Sequence, residues 1–330
     1  MCVRSSIMRV LVRGVWSPFR VFHKLKPRLM STLTPEEPAP AAPNKGAAGQ
    51  GKHLIITAEQ TRQSLVVAAT VTRVWQASPS VRCLTLAVHD PRVSFKGGQW
   101  VDLFIPGLEV VGGFSMCSAP HQLAQEGTLD LGVKYSKWPP ALWVHEECKV
   151  GSEVHIRVGG DFHYPPSPPP QKEGARGINL PPYPLLLVGG GVGVNPLASM
   201  LFQIHSLHRL GVAAGRDVEG GLPEGTKGAL LYSVRTYEDI LYKEELNRVA
   251  AEMSNFSVRY FTTREPPPSS SLATYGHITA DMLAKAVSSL TTSHPPLCYL
   301  CGPPRMSEDV SRHLQDAGVP RERILYEKWW

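Results

Sequence analysis

The chain of 330 residues is 42% hydrophobic with a formal net charge of +6, long enough for two domains at roughly 100 to 200 residues each. Seven basic residues (Arg4, Arg9, Arg13, Arg20, Lys24, Lys26 and Arg28) precede the first acid, Glu36, leaving 27 basic against 28 acidic residues in the remainder. The charge excess is therefore terminal; no stripe of Lys and Arg with interleaved aromatics speaks for a nucleic-acid partner, and no apolar run reaches the ~20 residues that span a bilayer.

Residues 1–30 are basic, free of acids and dotted with Ser5, Ser6 and Ser17, the makeup of a mitochondrial presequence. Arg9 and Arg13 interrupt the best apolar stretch, which excludes a secretory core. Arg28 stands three residues before Ser31, as at a matrix processing site, so the expected location is the mitochondrial matrix. Residues 31–63, rich in Pro, Ala and Gly from 34 to 52, read as a flexible linker.

From 64 to 164 the chain changes to short runs of Val, Leu, Thr and Ile. Strands are predicted over Val66 to Trp75, Val81 to Val88, Trp100 to Ile105, Thr128 to Tyr135 and Glu153 to Val158, with one helix at about Pro140 to Glu147. Short strands at this spacing predict an antiparallel β-barrel or sandwich. A proline-rich linker, 165–183, follows. Residues 184–330 alternate strands with helices, which predicts a parallel sheet covered on both faces: strands at Leu185 to Val188, Ala229 to Val234, Ser257 to Thr262 and Leu297 to Leu300, with helices at Leu197 to Leu210, Ile240 to Met253, Ala280 to Leu290 and Ser307 to Ala317. The fold class is thus β plus α/β.

The informative stretch is Gly189-Gly190-Gly191-Val192-Gly193-Val194-Asn195-Pro196, which joins the first parallel strand to its helix. A helix N-terminus offers unpaired N–H groups and partial positive charge, and only glycine lets a pyrophosphate approach the backbone. The expected ligand is a dinucleotide. No acid ends the second strand to bind a ribose hydroxyl; Ser233 and Arg235 stand there instead, and a guanidinium there suits a 2′-phosphate, so for a nicotinamide dinucleotide NAD is only mildly favoured over NADP. Cys298 and Cys301 have C-x-x-C spacing, but there is no second pair and no clustered His, and Cys298 lies on the predicted buried strand Leu297 to Leu300, so no metal is expected.

Five motifs in order then resemble the ferredoxin-NADP reductase superfamily: Phe95 to Val101, Gly113-Phe114-Ser115-Met116-Cys117-Ser118-Ala119-Pro120, the glycine turn, Cys301-Gly302-Pro303-Pro304-Arg305-Met306, and Tyr326 to Trp330. The resemblance implies a barrel holding FAD or FMN and a hydride passing from nicotinamide to flavin, with electrons going on to an acceptor that no motif names. It implies that Phe114 flanks the isoalloxazine, Ser115 bonds near its N5, and Ser118 belongs to the flavin motif. On the other side Gly190, Gly191, Val192, Gly193, Val194 and Asn195 hold the pyrophosphate. Cys301, with Gly302 and Pro303, lies beside the nicotinamide, and Trp330 covers the flavin. Two family residues for the flavin phosphates are replaced: an Arg by Gly112, and a Ser by Leu142 in Pro139-Pro140-Ala141-Leu142. Lys134, Lys137 and His121 are the nearby candidates to replace the lost charge. Loosely held FAD, FMN and no flavin all stay open, and with them a nucleotide-binding module without turnover.

Overall fold

The computed structural model describes residues 52–166, 183–214, 221–222 and 225–327. The presequence, most of the proline-rich linker and Trp330 lie outside the described residues.

The first described segment is a short helix, α1 (Lys52–Ile56). A sheet follows, built from β1 (Val67–Ser78), β2 (Val81–Val88), β3 (Trp100–Phe104), β4 (Gly112–Ser115), β5 (Thr128–Lys134) and β6 (Glu153–Gly159). Its strand order is β4-β3-β6-β1-β2-β5 with antiparallel pairings, and a bridge between Met116 and Leu131 links its two ends into a barrel. Alternation sets the inner face: Val67, Ala69 and Val71 on β1 and Val154, Ile156 and Val158 on β6 point into one core with Leu84, Leu86 and Leu103. Two helices interrupt the strands, α2 (Pro120–Glu126) and α3 (Pro139–Glu146). α2 escapes the apolar pattern because Leu123 is its one buried residue; it ends on Gly127 in the left-handed conformation.

Residues 52–62, expected as linker, fold against the outside of the barrel. Asp102 on β3 is fully buried and draws them in: it is hydrogen-bonded to His53 (2.7 Å), Arg62 (3.1 Å) and Arg157 (2.7 Å). Burial pushes the Asp102 carboxyl up, but the His53 and Arg157 bonds and the charge of Arg62 outweigh it and hold it below the usual carboxylate range.

The second sheet has the order β10-β9-β8-β7-β11-β12, all parallel. Its strands are β7 (Leu185–Gly190), β8 (Gly228–Val234), β9 (Phe256–Thr262), β10 (Thr274–Tyr275), β11 (Leu297–Cys301) and β12 (Ile324–Glu327). β7 and β11 are buried along their whole length, as central strands covered on both faces must be. The helices are α4 (Val194–Ala214), α5 (Lys243–Glu252), α6 (Ala280–Leu290) and α7 (Pro304–Asp316). α6 matches its predicted bounds, capped by the Thr279 hydroxyl on the Met282 N–H. α5 starts later than predicted because Tyr242 takes a left-handed φ of 55°, which breaks the helical run after Ile240. The described residues form one compact unit, and its two halves meet through Tyr299 donating to the His163 carbonyl (2.8 Å) and Ser199 donating to the Ser118 carbonyl (2.6 Å).

Candidate functional site

Parallel registry brings the site together. On neighbouring strand ends Ser233 lies beside Gly190, Gly189 beside Cys301, and Cys301 beside Glu327. These carboxyl ends form one wall of a cleft of about 1230 Å³, and the barrel forms the other. Ligands of open parallel sheets bind at this edge.

The nucleotide wall is built from backbone. Gly191 has φ +55°, with nothing within 4 Å of where a Cβ would sit, so it presents bare main chain to the cleft. A Cβ on Gly193 would fall 2.2 Å from the Cys301 carbonyl oxygen, so glycine there lets the two loops touch. Behind the turn α4 has no acid in its first turn, which leaves its positive end to an anion. Further along the wall Ser233, Arg235, Arg264 and His277 line the cleft beyond β8.

At the junction of the walls, the Ser115 hydroxyl donates a long hydrogen bond to the Glu327 carboxylate (3.4 Å). Cys301 adjoins Glu327, and burial first, then that carboxylate, push its thiol well above the usual range. It stays a neutral thiol, not a nucleophile.

The barrel wall is built from side chains. A Cβ on Gly112 would meet the Phe114 ring at 2.6 Å and Pro140 at 2.9 Å, and one on Gly113 would meet the His53 ring at 2.1 Å. Phe114 and Pro140 thus fill the place where the resemblance expects an Arg. At the start of α3, Pro139 and Pro140 have no N–H, and Leu142 gives its N–H to the Trp138 carbonyl (2.9 Å). Lys134 lines this wall; Lys137 and His121 do not.

Most expected site residues therefore share one cleft: Phe114, Ser115, Gly190, Gly191, Val192, Gly193, Asn195, Ser233, Arg235, Cys301, Gly302 and Pro303 all line it. Two do not, and a third has a further task. Ser118 is buried outside the cleft, its hydroxyl accepting from the Asp130 N–H (2.9 Å), so it braces the barrel. Val194 is fully buried in the core against the sheet. The Asn195 amide donates to the Gly132 carbonyl (2.7 Å) and accepts from the Tyr242 hydroxyl (2.9 Å), tying the two domains at the edge of the cleft. Sequence reasoning left Glu327 without a role, though it stood inside the C-terminal motif, Tyr326 to Trp330. It also missed Arg264 and the His53 and Ile56 pair from the supposed linker, which no periodic signal marks.

Residues 187–312 match the family model described as oxidoreductase NAD-binding domain. The chain is similar to the oxidoreductase NAD-binding domain-containing protein 1 of Danio rerio, 41% identical over 84% of this chain and 97% of the relative. The Xenopus laevis protein of the same name is 37% identical over 99% of both. Among solved structures the cytochrome b5 reductase domain of Ulva prolifera nitrate reductase superposes with a TM-score of 0.60 at 21% identity, over 80% of this chain and 97% of that one. This likeness shows the fold, that of the ferredoxin-NADP reductases.

Proposed function

The chain belongs to the family of the oxidoreductase NAD-binding domain-containing protein 1, and from that premise we propose an NAD(P)H-dependent oxidoreductase that passes hydride from nicotinamide to a flavin ring in the cleft and electrons on to a further acceptor. The observation that carries this reading is the meeting of Ser115, Glu327 and Cys301 beside the glycine turn. The turn and the start of α4 hold the pyrophosphate; Cys301 offers the nicotinamide a neutral, polarisable surface; the buried carboxylate and hydroxyl can take up or supply a proton where the two rings meet.

A resident FAD does not fit the barrel wall. Its pyrophosphate needs donors, yet Phe114 and Pro140 fill the space over Gly112, and α3 starts on two prolines without N–H groups, with the Leu142 N–H given to the Trp138 carbonyl. No step of the reading therefore runs through a tightly held FAD. The same loss favours a second reading, a nucleotide-binding module that senses NAD(H) or supports assembly without turnover. The mitochondrial matrix remains our proposed location, resting on residues 1–30; import of a fusion carrying those residues, with no import after Arg4, Arg9 and Arg13 are replaced by Glu, tests it.

Titration with NADH and NADPH, followed by protein fluorescence, tests the nucleotide site, and no saturable response to either sinks both readings. Anaerobic mixing of NADH, flavin and protein separates them. Flavin bleaching that falls at least tenfold in Ser115→Ala supports the oxidoreductase; no protein-dependent bleaching leaves the module.

A further inference from the structure

The two walls of the cleft differ in what they can do with charge. The nucleotide wall has a glycine turn at the positive end of a 21-residue helix, with Arg235 and Arg264 further along. On the barrel wall Lys134, exposed at the end of β5, is the one lysine or arginine that lines the cleft among the described residues. The rest of that wall has no lysine or arginine among the described residues: Phe114, Trp138, Ala141 and Ile56, with Ser115 and Gly113 between them. His53 there is bonded to Asp102, and the hydroxyls of Tyr135 and Ser136 lie beside Lys134. Such a surface receives a flat, uncharged ring and offers a phosphate tail one lysine and neutral hydroxyls.

We propose that the barrel wall binds flavin through its ring alone, so that flavin is a diffusible second substrate and not a resident cofactor. The proposal rests on the oxidoreductase reading above. In the step it implies, the C4–H bond of NAD(P)H breaks and its hydride, carrying both electrons, forms a bond to flavin N5. A proton from solvent completes the reduced ring at N1, and NAD(P)⁺ and dihydroflavin leave. Retention of a flavin depends on the sum of its ring and tail contacts, and here the tail contributes little. A single exposed ion pair is worth at most about fivefold in affinity, so FMN gains no more than that over riboflavin. FAD gains little further, because in the first turn of α3, Pro139-Pro140-Ala141-Leu142, the prolines have no N–H and Leu142 gives its own to the Trp138 carbonyl.

Equilibrium dialysis of the full chain against riboflavin, FMN and FAD, each with NAD⁺ present, tests the proposal, together with gel filtration of protein preloaded with FAD. The expected result is saturable binding of all three flavins with dissociation constants within about fivefold of one another, and no flavin left on the protein after filtration. FAD bound more than about thirtyfold tighter than riboflavin, or eluting at one equivalent per chain, would overturn it. So would the absence of flavin binding by protein that still binds NADH saturably, an outcome that leaves the nucleotide site standing. Loss of NADH binding as well would instead remove the oxidoreductase reading beneath it.

Discussion

Both walls of the cleft carry glycines inside recognisable motifs, and they use them in opposite ways. On the nucleotide wall Gly191 faces open space and Gly193 faces the backbone of the next loop, so a side chain is excluded by a ligand's need or by main chain. On the barrel wall Gly112 and Gly113 are already covered by Phe114, Pro140 and His53 of the same chain. A motif glycine says that something comes close, and only the structure says whether that is a ligand or the protein itself. The nucleotide wall is consequently held by close backbone contact, whereas the barrel wall is held by side chains and a buried charge.

The largest effect is expected where that charge sits. Asp102→Asn leaves Arg62, Arg157 and His53 around a neutral amide and should cost about 3 to 5 kcal/mol of stability, read from denaturant unfolding. Because the folded-state carboxyl is held below its ordinary value, its contribution is present above the unfolded value of about 4 and is lost as pH falls through the folded one. The wild-type chain should therefore lose more stability than Asp102→Asn on acidification below about pH 4. Parallel acid titrations of the two would show the barrel wall to be held otherwise.

Next comes Gly193→Ala. The new Cβ, 2.2 Å from the Cys301 carbonyl oxygen, has only backbone to push against, and overpacking of this kind costs about 1 to 3 kcal/mol. The loops must part, so nucleotide affinity should fall by about tenfold or more, measured by NADH titration. Wild-type affinity in this variant would mean that the turn does not hold the pyrophosphate.

How much of this was legible in the sequence follows the same division. The parallel sheet, the order of its helices and the glycine turn could be read because continuous apolar runs and glycine punctuation reflect local geometry; α6 and β2 matched to the residue. The long-range pairings that finish the barrel wall could not. His53 reaches Asp102 across 49 positions and Ser115 reaches Glu327 across 212, and neither pairing leaves a periodic trace. Asn195 stood in the motif and lines the cleft, but its bonds to Gly132 and Tyr242 could not be read, because the backbone turn is local whereas these partners come from elsewhere in the chain.

Arg235→Ala sharpens the contrast in charge. Arg235 is exposed at the end of β8, beside Ser233 and on the same cleft as Arg264. If it meets a ribose 2′-phosphate, its removal should weaken NADPH by about threefold to fivefold, the range of a single exposed ion pair, and NADH by less than about twofold. Equal losses for both would assign Arg235 to the shared part of the dinucleotide.

The smallest effect is expected at Gly112→Ala, the barrel-wall counterpart of Gly193→Ala. Its new Cβ would lie 2.6 Å from the edge of the Phe114 ring and 2.9 Å from Pro140 Cβ. The first obstacle is the far end of a side chain, which can turn about its own torsions into a cleft with room for it; the second asks for a few tenths of an ångström at a helix start. The cost should stay below about 1 kcal/mol, under the range for overpacking a closed core, and NADH affinity should not change. The ring that moves is the one against which flavin is proposed to lie, so riboflavin affinity should shift by a few-fold at most, in proportion to the aromatic contact of about 0.5 to 1.5 kcal/mol that is disturbed. A destabilisation as large as that of Gly193→Ala would show Phe114 to be locked by its surroundings. The barrel wall would then be as rigid as the nucleotide wall, and its covered glycines would be a fixed part of the barrel instead of a surface that yields to a ligand.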